Sequence, residues 1–216
     1  MTNSDSGRNL LHLTCRHHIL EIVADKSFGA CPAPSSGPDI QLFKRFKAEW
    51  ESIDQAMFEP IEPIPSTSDE VIMFCKEKLQ STQPRDDYRE LLNLTIVVLG
   101  SVPPRGIRMS KPGAYHRARW MAKLIYALKI FLFRGQFKLT KAVENNLARF
   151  ILFIATLYVP AWYEAPLAAR APAQDLAFYS SLVSYEDEEI PREASKAFGR
   201  HLWYISEELV LLALFD

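Results

Sequence analysis

The sequence predicts an all-α fold, a single helical domain of about seven or eight helices. Apolar residues recur at spacings of three and four along most of the chain. Pro- and Gly-rich breaks cut it into segments of helical length, and no strand–helix alternation runs through it. With 216 residues, 48% of them hydrophobic and 24% charged, the chain can bury a proper core without disulfides or metals.

Residues 1–9 are polar and read as a disordered tail; residues 10–216 read as the helical domain. Leu13, Ile19, Leu20, Ile22 and Val23 suit a short helix ending near Ala24, before a Pro/Ser/Gly loop at 29–38. Asp39 is placed to cap a second helix, whose stripe is Ile40, Phe43, Phe46, Trp50 and Ile53. Its polar face carries Lys44, Arg45, Lys47, Glu49 and Glu51. After Pro60, Pro63 and Pro65, Ser66 or Ser68 opens a third helix through Val71, Ile72, Phe74, Cys75 and Leu79. Pro84, Asp86 and Asp87 suit the first turn of a fourth, with Gly100 just beyond its end. Within it, Thr95-Ile96-Val97-Val98 is β-branched and is the one stretch that competes as a strand.

A basic Pro/Gly connector fills 100–113, and a division into 10–99 and 112–216 is an option there. A long helix follows over 114–133, with Trp120, Leu124, Leu128 and Phe131 on one stripe. Thr140 caps the next, through Leu147, Phe150, Ile151, Ile154 and Leu157, and Pro160 should kink or end it. Pro166 and Pro172 mark a break before a short helix at 176–183; an acidic bend occupies 186–189. The last helix starts near Pro191 and carries Phe198, Leu202, Ile205, Leu209 and Leu212.

The three cysteines, Cys15, Cys31 and Cys75, are odd in number and form no C-x-x-C pair, which argues for a reducing, intracellular setting. The polar start has no apolar segment of a secretory signal. The uncharged run at 150–163 is 14 residues long and contains Pro160, so it reads as a buried helix, with no membrane partner expected. Nucleus and cytoplasm are not distinguished, since no tight Lys/Arg block stands out.

Three constellations bear on chemistry. Cys15 and His18 stand three apart, with His12 and His17 nearby, and could supply half of a zinc site; packing and hydrogen bonding at a helix is the favoured explanation, since no second ligand pair follows. Net charge is −1, yet residues 91–143 contain no Asp or Glu and ten cations. Among these, Arg105, Arg108, Lys111, Arg117, Arg119 and Lys123 lie near Tyr115 and Trp120, a pattern suited to phosphate contact and base stacking by DNA or RNA. The competing expectation is that the ten cations pair with the acidic bend at 185–193 or cover apolar surface with their stems. Third, Glu207 and Glu208 sit in an apolar terminal segment and could bind metal or form an internal ion pair. No phosphate-binding Gly loop, nucleophile elbow or H-E-x-x-H motif occurs, so no catalytic residue, cofactor or reaction is assigned.

Cys15-Arg-His-His-Ile-Leu-Glu21, the stretch 36–46, Lys111-Pro-Gly-Ala-Tyr-His-Arg-Ala-Arg-Trp-Met-Ala-Lys123 and the stretch 201–210 together resemble uncharacterised invertebrate proteins derived from mobile elements, of which this chain matches the C-terminal part. The Cys15-x-x-His18 step followed by Arg119-Trp120 is similar to the layout of hAT-type transposases. That resemblance implies a helical insertion within a ribonuclease-H-like domain, with Glu207 or Glu208 in the place of the last of three metal-binding acids. The first two acids have no match among the residues before Cys15. The expected function is therefore a transposase-derived, catalytically incomplete helical protein that binds nucleic acid. The alternative is a helical module that binds another protein through an apolar patch near Trp162 and Tyr163.

Overall fold

The computed structural model describes residues 15–31, 40–62, 64, 66–114 and 120–200. These form α1 (Arg16–Ala30), α2 (Gln41–Glu49), α3 (Thr67–Lys78), α4 (Asp86–Val98), α5 (Trp120–Leu132), α6 (Lys141–Phe153), α7 (Val159–Glu164), α8 (Ala171–Val183) and α9 (Glu189–Gly199). A π-helical turn at Ile154–Tyr158 joins α6 to α7, so the described residues hold eight helical rods and no strand.

The fold is organised around α5. Eleven of its 13 residues are buried, Trp120 and Ala122 being the exceptions. A helix apolar on nearly every side belongs at a centre, and α1, α4 and α6 pack around it. The α2 stripe buries as its spacing predicts: Phe43 stacks on Tyr126 at 4.7 Å, and Phe46 meets Phe137 edge-on at 5.3 Å. Trp50 continues that stripe from a 3₁₀ turn onto Phe133 at 5.7 Å. The widest helix–helix contact joins α1 to α9. Both helices bury small residues, Ala24 and Ser27 on α1 and Ala194 and Ala197 on α9, which permits close backbone approach. This is why α1 runs on to Ala30 instead of ending near Ala24: its buried face continues through Ser27, a polar residue that an apolar pattern skips.

The strand-like stretch at 95–98 is helical and buried, with Thr95 Oγ1 donating to the Leu91 carbonyl at 2.8 Å. Tertiary packing overrides β-branched preference here. α4 closes as a Schellman motif: Gly100 N–H bonds Val97 O, Ser101 N–H bonds Ile96 O, and Gly100 takes φ +84°. Pro84 lies ahead of α4, whose N-cap is Arg85. Ile40 precedes α2 as its N-cap, and Asp39 lies outside the described residues.

Ile61 N–H bonds Val98 O, and Glu59 N–H bonds Leu132 O. The C-terminal ends of α4 and α5 therefore meet the same strip of chain, and the two helices run parallel. Parallel neighbours need a long return, which the connector from Leu99 to the start of α5 supplies. Because α4 and α5 pack on each other, that connector does not separate two cores. Of the long helix expected over 114–133, the described residues show Trp120–Leu132; Ala114 is not helical, and 115–119 lie outside the described residues.

Three prolines show that the turn around a proline decides its effect, and of the three only Pro172 departs from expectation. The helix does not end at Pro160; the preceding π turn widens the coil enough to admit a ring lacking an N–H, and helix resumes to Glu164. Pro172 sits in the first turn of α8, where its missing donor costs nothing, so α8 begins at Ala171. Pro191 likewise lies in the first turn of α9, which begins at Glu189. The rod Lys141–Glu164, 24 residues, is long and apolar enough to cross a membrane by length and composition; here Phe150, Ile151, Phe153 and Tyr158 are buried in the core.

Candidate nucleic-acid interface

The span 91–143 lacks acids in sequence but not in space. Lys123 is 4% exposed, and its Nζ pairs with Asp25 of α1. Lys129 is 1% exposed; its Nζ lies 2.6 Å from Glu90 of α4, donates to Ser110 O and stands over the Trp50 ring. Burial pulls the Lys129 ammonium below its ordinary pKa, against the opposing pull of Glu90. Arg134 rests on the Phe131 ring and reaches Glu59 at 3.3 Å and Glu144 at 3.6 Å. Lys111 pairs with Glu51 at 2.5 Å, and Lys141 with Glu144 at 3.3 Å.

Those acids come from α1, α4, the 3₁₀ turn after α2, the strip before α3, and α6. The acidic bend supplies none of them. Its Asp187 and Glu189 pair with Arg149 at 2.5 and 3.1 Å, and Glu193 pairs with Lys196 and Arg192. The expected match between the bend and the acid-free span is thus corrected for the cations among the described residues. Asp187 is already committed at the start of α9, where its Oδ1 accepts from Glu189 N–H and Ile190 N–H.

Of the six residues expected to touch nucleic acid, Lys123 is withdrawn from the surface by its burial against Asp25. Lys111 is exposed but neutralised by Glu51, itself exposed. Arg117 and Arg119, with Tyr115, lie outside the described residues. Arg105 and Arg108 are exposed and have no acidic partner among the described residues. A turn closed by Gly106 N–H on Pro103 O, with Gly106 at φ +78°, sets Arg105 at its corner. There Arg105 shares a small cleft with Arg89 and Asn93 of α4, without a carboxylate on its lining. Arg89 carries no signal in the sequence, since it precedes the acid-free span and belongs to a helix read only for its apolar face.

Among the described residues the metal candidates form no ligand group. Cys15 is the exposed N-cap of α1, with extended ψ of 133°, and its carbonyl accepts from Ile19 N–H at 3.1 Å. His18 is exposed and contacts Glu21 at 3.4 Å; the His17 ring lies against Trp162 at 4.2 Å. No group of three His, Cys, Asp or Glu side chains that could hold a metal forms among the described residues. His12, Glu207 and Glu208 lie outside them. Cys31 and Cys75 are buried free thiols, their pKa pushed up to about 12 by desolvation, which suits packing and not nucleophilic chemistry.

Trp162 and Tyr163 do not form the exposed apolar patch expected of them. Trp162 is 1% exposed beneath Trp120 and His17, and Tyr163 Oη donates to the Tyr88 carbonyl. Exposed apolar side chains occur instead on α8, where Leu176, Tyr179 and Val183 follow helical spacing. No protein-family model, curated protein or solved structure matches this chain.

Proposed function

We propose that this chain is a helical nucleic-acid-binding protein without a catalytic role, in keeping with its resemblance to proteins derived from mobile elements. The observation that carries the reading is selective exposure: Lys123, Lys129 and Arg134 are matched by acids, while Arg105 and Arg108 of the same span are not. Two arginines, Arg89 and Arg105, facing one cleft repel each other unless an anion sits between them. Phosphate answers that need, and the guanidinium is the side chain best shaped for it. A protein of this kind binds through the backbone of nucleic acid and has modest sequence preference.

Fluorescence anisotropy of labelled single- and double-stranded DNA over a salt series tests this. Binding should weaken with salt, and the double variant R105E/R108E should bind less tightly, with its salt slope reduced by about one for each phosphate no longer neutralised. Wild-type protein that fails to bind at low salt, or a variant with an unchanged slope, overturns the reading.

The exposed α8 stripe favours a second reading, a protein-binding module. Its test is Val183→Asp, which should abolish a partner complex or self-association seen by sedimentation while leaving DNA binding intact.

A further inference from the structure

We infer that a recess between α2 and the start of α6 is a binding site for a phosphate group carried on an apolar body, a small phosphomonoester. The recess has a volume of about 550 Å³. Lys44 and Arg45 from α2 and Lys138 from the α5–α6 loop line it, with no carboxylate among the lining residues. They stand about ninety residues apart in the chain, so only the fold brings them together. Among the described residues Lys44 and Lys138 have no acidic partner.

Arg45 is held ready for such a ligand. Its guanidinium lies on the Phe137 ring at 4.2 Å and donates through one nitrogen to the Lys138 carbonyl at 2.5 Å. Glu49, outside the recess lining, approaches its Nε at 3.7 Å, which leaves further N–H donors for an anion. The other acid close by, Glu144 in the first turn of α6, is engaged by Lys141 and Arg134. Thr140 caps α6 by accepting from Val143 N–H, so the positive end of that helix faces the same recess.

The rest of the lining selects the ligand class. Leu42, Leu139 and Val143 give the recess an apolar wall beside its cationic rim. A bare inorganic ion would leave that wall wet, whereas an aromatic or aliphatic ester covers it. A phosphomonoester carries about −1.5 to −2 charge near neutrality, enough to engage three cations. The size suits a small molecule. This site is separate from the Arg89–Arg105 cleft and does not rest on the nucleic-acid reading.

The test is isothermal titration of the full chain with phenyl phosphate, inorganic phosphate and benzyl alcohol. Phenyl phosphate should bind, inorganic phosphate should bind several-fold more weakly, and benzyl alcohol should not bind. K44E/K138E should lose about tenfold or more in phenyl phosphate affinity, as expected for two charged partners. R105E/R108E should leave that affinity unchanged, which separates this site from the DNA surface. Should K44E/K138E fold poorly by circular dichroism, K44Q/K138Q repeats the comparison. No phenyl phosphate binding at millimolar concentration, equal affinity for inorganic phosphate, or binding indifferent to loss of both lysines overturns the proposal.

Discussion

Lys129 and Arg105 belong to one acid-free stretch, yet the fold treats them oppositely. Lys129 lies on the central helix, 1% exposed, beside a glutamate from α4. Arg105 stands at the corner of an exposed turn facing a second arginine. A cation on a buried helix must be matched, because the interior does not solvate charge. A cation on a loop can remain unmatched at little cost. An acid-free stretch is therefore not itself a binding site; its buried cations recruit acids from elsewhere, and so do Lys111 and Arg134 outside the helices, while Arg105 and Arg108 stay unmatched among the described residues.

The largest expected effect comes from breaking the buried side of this contrast. Lys129→Ala should destabilise the fold by about 3–5 kcal/mol in urea denaturation, because it strands Glu90 and opens a gap beneath Trp50. The pair Lys129→Met with Glu90→Gln should recover much of that loss, since it removes both charges together. Lys123→Ala should cost less than Lys129→Ala, because Asp25 is 43% exposed and water takes over its solvation. Equal losses at 123 and 129 would mean that burial of the acidic partner does not set the cost.

The helical side of the contrast is largely legible in the sequence, its partners not at all. The stripe Phe43, Phe46 and Trp50 lies within one local period and packs as its spacing predicts. Thr140 and Gly100 cap their helices through bonds that span only a few residues. Asp25 and Glu90 stand 98 and 39 residues from the lysines they match (123 − 25 and 129 − 90), and no local pattern links them. The recess joining Lys44 to Lys138 is hidden from the sequence for the same reason. Pro172 misleads because a proline's effect depends on its turn: a helix start welcomes it, whereas at Pro160 the helix passes through a π turn before it resumes.

An intermediate effect tests the acidic bend, whose carboxylates serve α9 instead of the acid-free span. Hydrogen bonding from Arg149 holds Asp187 below its ordinary value near 3.8, with Ile190 N–H adding to it. A carboxyl depressed in the folded state contributes stability above its unfolded pKa and loses it as pH falls through the folded one. Arg149→Ala should therefore cost about 1–3 kcal/mol at neutral pH, and the difference should start to shrink below about pH 4 and go on shrinking as pH falls through the depressed folded value of Asp187. Denaturant midpoints from pH 7 down to pH 3 measure this, and a constant difference across that range would count against the pair. The same change should leave DNA affinity untouched, because Arg149 belongs to the matched class.

The smallest effect on stability should accompany the largest effect on binding. Arg105 and Arg108 are exposed and make no ion pair among the described residues, so R105E/R108E removes no folded-state interaction of consequence. Its change in unfolding free energy should stay within about 0.5 kcal/mol, the range of surface substitutions away from special features. R105E also turns the repulsion with Arg89 across the cleft into attraction, so a slight gain in stability is the sign to expect. A gain in stability coupled to weakened DNA binding is the signature of a surface whose charges are arranged for a ligand and not for the fold. A large stability loss in this variant would place these arginines with Lys129 and erase the contrast.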